Sequence, residues 1–170
     1  REALRKDKGV HIVNGDIGCY EQGGYGIFSR EVKGDNSDSE RYRISSPYEI
    51  LDTTHVMRSG IGLAMGQAQA GYRDGKIVAV AGDSTFFHAG IPGLINAVQH
   101  GINLTVIIMD NGWTAMTGMQ VNPGTHIDFQ QPGSKQLDLA KVVAGLGVEE
   151  LFIVDPYDFE MTTKAIEKAL

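Results

Sequence analysis

The chain has 170 residues, of which 42% are hydrophobic and 21% charged. That size and composition suit one folded α/β domain over residues 1–170 and exclude a disordered chain. A net charge of −6 argues against nucleic-acid binding as the main function, and no apolar run approaches the ~20 residues that span a bilayer.

The opening residues, from Arg1, are mostly charged or polar and carry no signal-peptide pattern, so the expectation is a piece of a longer protein, cut at a linker. Cys19 is the only cysteine, which excludes an internal disulfide and a cysteine-held iron–sulfur cluster within these residues. A cytoplasmic location is the natural expectation.

Val10 to Val13 reads as a short strand, with His11 inside it as a structural residue. The glycine-rich loop Asn14-Gly15-Asp16-Ile17-Gly18-Cys19 follows. For Cys19 the plain expectation is a small buried hydrophobe. Glu21 to Ser46 is rich in Gly, Ser, Asp, Glu and Arg and reads as a long surface loop, either a mobile one, a lid or a docking surface.

Asp52-Thr53-Thr54-His55 leads into the stretch Ser59 to Ala70, whose small residues would let a helix pack closely on a sheet. Gly60, Gly62 and Gly66 loosely echo a dinucleotide fingerprint, but the spacing is GxGxxxG and no clear strand precedes it.

The most informative stretch is Lys76 to Trp113. The apolar run Ile77 to Ala81 ends in Gly82-Asp83-Ser84, and the run Leu104 to Met109 ends in Asp110-Asn111. Between them Ile91, Leu94, Ile95 and Val98 have helical spacing, and Phe86, Phe87, Ile91, Leu94 and Ile95 read as core. This predicts two parallel strands joined by a crossover helix, with both carboxyl ends on one edge. Asp83 and Asn111 then meet at the edge where open α/β sheets bind ligands. One carboxylate and one amide oxygen are hard donors that suit Mg²⁺ or Ca²⁺, and Mg²⁺ takes much of its remaining shell from phosphates and water. Gly82, Ser84 and Thr85 can bring backbone N–H groups close to such phosphates.

His88 has two readings: it reaches a diphosphate or substrate, or it is a loop histidine with one backbone hydrogen bond. His100 ends the helix and complements its dipole. Beyond Asn111, Asn122 to His126 reads as an exposed turn, Leu137 to Gly145 and Phe159 to Leu170 as amphipathic helices, and Leu151 to Val154 as a strand.

Gly82-Asp83-Ser84 followed by Asn111, a separation of 111 − 83 = 28 residues, resembles the thiamine diphosphate motif, in which Gly-Asp-Gly or Gly-Asp-Ser precedes an Asn at a similar distance. Within that superfamily GDSTFFHAGIPGLINAV and DNGWTAMTGMQVNPGT resemble the indolepyruvate ferredoxin oxidoreductase alpha subunits, of the 2-oxoacid:ferredoxin oxidoreductase family. The likeness extends back through GDIGCY at Gly15 to Tyr20.

The resemblance implies a three-layer α/β/α thiamine diphosphate-binding fold with a mostly parallel sheet. It implies Mg²⁺ held by Asp83, Asn111 and the main-chain oxygen of Trp113, with Thr114, Ala115 and Met116 in a loop that covers the diphosphate. Gly18 and Cys19 would lie near the cofactor. Ser59-Gly60-Ile61-Gly62 aligns with the pattern whose bulky residue props the cofactor into a bent shape, making Ile61 the prop and giving Ser59 and Ile61 backbone contacts to the aminopyrimidine. The plain alternative for Ile61 is helix-to-sheet packing. No residue receives a firm catalytic role; His55 and His88 are the candidates. The implied chemistry is oxidative decarboxylation of a 2-oxoacid to an acyl-CoA, with ferredoxin as acceptor.

The implied iron–sulfur cluster and coenzyme A site belong elsewhere in an oligomeric assembly, and so does the pyrimidine-binding domain or subunit whose glutamate activates the cofactor. A non-redox thiamine diphosphate decarboxylase or synthase, and a non-catalytic binding module, are the competing readings.

Overall fold

Every residue from Ile77 to Ala81 is buried, as expected for a central strand of a parallel sheet covered on both faces. This computed structural model describes residues 2–6, 8–21, 51–126, 133 and 135–170. Its strands are β1 (Ile12–Gly15), β2 (Thr53–Thr54), β3 (Ile77–Gly82) and β4 (Thr105–Met109). They form one sheet in the order β2-β1-β3-β4, and every pairing is parallel.

Successive side chains of β3 point to opposite faces. Ile77 and Ala79 face a cluster built from Ile61, Ala64, Phe86, Leu94 and Val143. These come from α2 (Ser59–Gln69), from the helical run after β3, and from α5 (Leu139–Gly145). Val78 and Val80 face a second cluster with Leu4, from α1 (Glu2–Arg5), and Leu170, which follows α6 (Phe159–Ala169). The result is three layers, α/β/α, with a parallel sheet in the middle, as the sequence predicts.

The helical run after β3 has three parts: α3 (Asp83–Thr85), a π-helical turn (Phe86–Gly90) and α4 (Ile91–Gln99). Pro92, which has no N–H to donate, falls just past the π turn, where the regular i−4 ladder is already interrupted. Helix α5 is capped by Asp138, whose carboxylate accepts from the Lys141 N–H at 3.1 Å. Asp158 caps α6 through the Met161 N–H at 2.9 Å.

Three expectations need correction. The first strand lies two residues later than Val10–Val13, because Val10 is 68% exposed while Val13, Asn14 and Gly15 are buried. Leu151 to Val154 alternates exposed and half-buried like a strand but lies outside the sheet. Ile95 is exposed and not part of the core. The expected loop from Glu21 to Ser46 lies outside the described residues, apart from Glu21, which ends a short 3₁₀ turn, Cys19–Glu21. Among the described residues no helix is long and apolar enough to cross a membrane.

Candidate functional site

The sheet register decides which side chains meet. Gly82 of β3 pairs with Met109 of β4, so Asp83 and Asp110 leave adjacent strands side by side at the carboxyl edge, with Asn111 one residue further. Asp83 opens α3 and is only 2% exposed, and Ser84 and Thr85 are buried with it.

Asp110 and Asn111 each fold their side chain back onto the chain. Asp110 Oδ1 accepts from the Gly112 N–H at 3.0 Å, and Asn111 Oδ1 accepts from the Trp113 N–H at 2.9 Å. These turns hold both residues at the strand end. Partial burial pushes the Asp110 carboxyl above its ordinary range; the Gly112 N–H opposes this, and the charge and hydrogen bonding of nearby Asp83 add to it. The Asp83 carboxylate and the Asn111 amide oxygen are hard donors of the kind that suit a divalent cation.

The loop beyond Trp113 closes on itself. Thr114 and Gln120 exchange backbone hydrogen bonds at 2.9 and 3.2 Å, leaving Ala115, Met116 and their neighbours as a small hairpin. The hairpin is tied to the helical run by the Ser84 and Thr114 hydroxyls, 2.7 Å apart.

The expected exposed turn from Asn122 to His126 is instead partly internal. Asn122 and Thr125 are buried, and the Asn122 Nδ2 donates to Asp83 Oδ2 at 2.9 Å. Sequence reasoning missed this contact, since Asn-Pro-Gly-Thr has the composition of an exposed turn; the only signal was an Asn within it.

On the other side of the cleft β1 ends in the Gly15-to-Tyr20 loop. The Tyr20 hydroxyl accepts from the Asp16 N–H at 2.8 Å and lies 3.0 Å from the Val80 carbonyl, to which it can donate. The Asp16 side chain is fully buried, and its Oδ1 accepts from the Gly60 N–H at the head of α2. Among the described residues Asp16 Oδ2 has no hydrogen-bond partner. Burial raises the Asp16 carboxyl above its ordinary range, against the hydrogen bonds from Gly60, Arg58 and Ser59. Gly60 has no room for a side chain: a Cβ there would sit 3.0 Å from the Asn14 carbonyl oxygen and 3.1 Å from that of Val80.

The predicted residues divide into two groups. Gly18, Cys19, Gly82, Asp83, Ser84, Thr85, Asn111, Trp113, Thr114, Ala115 and Met116 all border one large open concavity, which also runs past core residues such as Leu94 and Val143. Cys19 is exposed, which corrects the expectation of a buried hydrophobe. Ser59 is half-buried and its hydroxyl reaches the Gly15 carbonyl at 3.3 Å. Ile61 is 1% exposed and belongs to the core, where its side chain packs against Gly93. Met57, four residues earlier, is 45% exposed and lines the cleft. Between Met57 and α2, Arg58 adopts a left-handed backbone, φ 72°, which turns the chain so that Met57 and Ile61 go to different places. His55 and His88 are exposed and neither lines the cleft. His11 Nδ1 accepts from the Lys76 N–H at 3.0 Å, a structural role as expected.

A parallel α/β sheet that gathers oxygen donors and small residues at its carboxyl edge has the layout of a ligand-binding α/β domain. Residues 34–170 match the thiamine pyrophosphate enzyme family, C-terminal TPP-binding domain, and the chain belongs to that family.

It is also similar to proteins named indolepyruvate oxidoreductase subunit IorA. The identity is 36% with that of Pyrococcus horikoshii, covering 94% of this chain and 23% of the relative. It is 35% with that of Thermococcus kodakarensis, covering 99% and 25%. With that of Archaeoglobus fulgidus it is 36%, covering 91% and 21%. The chain thus spans a quarter or less of the length of these relatives.

Proposed function

We propose that this domain binds Mg²⁺ and the diphosphate of thiamine diphosphate within a 2-oxoacid oxidoreductase that acts on indolepyruvate or another aryl-pyruvate. The observation that carries the reading is the pair Asp83 and Asn111 at adjoining ends of β3 and β4. The donor set fits: it offers hard oxygens but too few carboxylates for an all-protein cage, which suits an ion that keeps water and phosphate ligands. The strand end is also open beside Gly82, where a Cβ would meet nothing within 4 Å.

In this reading Asp83, Asn111 and the Trp113 carbonyl hold the cation. Gly82, Ser84 and Thr85 approach the diphosphate, and the hairpin bearing Thr114, Ala115 and Met116 covers it. Gly18, Cys19, Ser59 and Gly60 border the rest of the cofactor. We assign the prop to Met57, an apolar side chain 45% exposed, in place of Ile61, which is 1% exposed. Bound thiamine diphosphate supplies a nucleophilic carbon and an electron sink for 2-oxoacid decarboxylation. The domain contributes binding and orientation.

Oxidation to an acyl-CoA, with ferredoxin as acceptor, needs parts beyond these residues. An iron–sulfur cluster, a coenzyme A site and a pyrimidine-binding domain or subunit carrying the activating glutamate would come from the rest of a cytoplasmic, oligomeric enzyme. The names of relatives at about 35% identity support the substrate class. The test is the complete enzyme with indolepyruvate, coenzyme A and ferredoxin. Acceptor reduction that depends on thiamine diphosphate and Mg²⁺ supports the reading; decarboxylation without acceptor reduction would replace it with a non-redox thiamine diphosphate enzyme.

A further inference from the structure

We propose that Asn122 sets the cation preference of the site by keeping the Asp83 carboxylate monodentate. This rests on the reading that Asp83 ligates the cation.

The Asn122 amide has no freedom to do otherwise. Its Oδ1 accepts from the Gly124 N–H at 2.7 Å, which fixes the amide orientation and turns Nδ2 toward Asp83 Oδ2, 2.9 Å away. The turn that carries it is pinned at two further points. The Asn122 N–H donates to Thr125 Oγ1 at 2.8 Å, and the Thr125 hydroxyl donates to the Gly112 carbonyl. Gly124 is wedged against Phe87: a Cβ there would lie 2.9 Å from a Phe87 ring carbon. Asn122 is 8% exposed, so water does not readily take the place of its amide.

One oxygen of Asp83 is therefore engaged by a buried N–H donor, and that proton competes with a cation for the same oxygen. A cation at Oδ2 would share that oxygen with the amide proton, so Oδ1 is the freer ligand. A single carboxylate oxygen suits Mg²⁺, which demands near-ideal octahedral geometry and short bonds. Ca²⁺ accepts six to eight ligands and takes carboxylates in bidentate fashion. Freeing Oδ2 should favour Ca²⁺ over Mg²⁺, a change that mere loosening of the loop would not produce.

The experiment is calorimetric titration of the complete enzyme, in the presence of thiamine diphosphate, with Mg²⁺ and separately with Ca²⁺. Asn122→Leu keeps the volume and removes the donor; Asn122→Ser is the second variant, with a hydroxyl too short to reach Asp83. Thr125→Val loosens the same turn but leaves the amide on Asp83. The expected result is a shift of the affinity ratio toward Ca²⁺ by about tenfold in both Asn122 variants, the scale of one lost hydrogen bond to a charged group, and none in Thr125→Val. Equal weakening of both cations in the Asn122 variants, or the same shift in Thr125→Val, overturns the proposal. An Asp83→Ala control that binds both cations as well as the native enzyme would instead overturn the underlying site reading.

Discussion

The Asp16 carboxylate just past the end of β1 accepts a hydrogen bond from the Gly60 N–H at the head of α2, and so ties that helix to the sheet. Removing it in Asp16→Ala leaves α2 without its N-terminal acceptor and should cost about 1–2 kcal/mol of stability. Chemical denaturation measures this. A variant as stable as the native protein would mean that the contact does not hold the helix.

The same carboxyl predicts a pH effect. Its folded pKa is raised above 3.8, so the folded protein holds the proton more tightly than the unfolded chain. That contribution to stability is fully present below pH 3.8 and is lost as pH rises through the raised folded value. Asp16→Asn should remove this component, flattening the decline in the window just above 3.8. Stability curves for native protein and variant that run parallel there would contradict it.

Gly60 lies where α2 crosses β1 and β3. Gly60→Ala forces a methyl group against the carbonyl oxygens of Asn14 and Val80, which belong to the sheet and cannot easily give. The expected cost is about 1–3 kcal/mol, read from the shift in melting temperature. An unchanged melting temperature would show that the helix can retreat.

Ile61 and Met57 should part company under mutation. Ile61→Ala opens a hole in the core and should cost about 2–5 kcal/mol, lowering the melting temperature. Met57→Ala removes an exposed side chain and should leave the melting temperature nearly unchanged. In the complete enzyme, however, it should slow hydrogen–deuterium exchange at the reactive carbon of thiamine diphosphate, because the bent shape provides the proximity. Normal exchange in a folded, cofactor-loaded Met57→Ala enzyme would remove Met57 from the site.

These contrasts mark how far the sequence could be read. The edge at which Asp83 and Asn111 meet was legible, since two apolar runs with a helix between them specify parallel strands, and parallel strands end on the same side. The side on which Ile61 lands was not legible. Ser59-Gly60-Ile61-Gly62 has no hydrophobic period to distinguish the core from the cleft, and the left-handed turn at Arg58 gives no sign in its residue type. The reach of Asn122 to Asp83 spans 39 residues and depends on how a loop folds back. Leu151 to Val154 had the alternation of a strand, but alternation records which side chains are buried and not whether a ladder forms.

The most direct test of the account is Mg²⁺-dependent binding of thiamine diphosphate to the complete enzyme, measured by calorimetry in native protein, Asp83→Ala and Asn111→Ala. Asp83 supplies the anionic ligand, so its loss should abolish Mg²⁺-dependent binding. Asn111 supplies a neutral oxygen, so its loss should weaken binding less severely. Native affinity in Asp83→Ala would contradict the assignment of the metal–diphosphate site to the ends of β3 and β4.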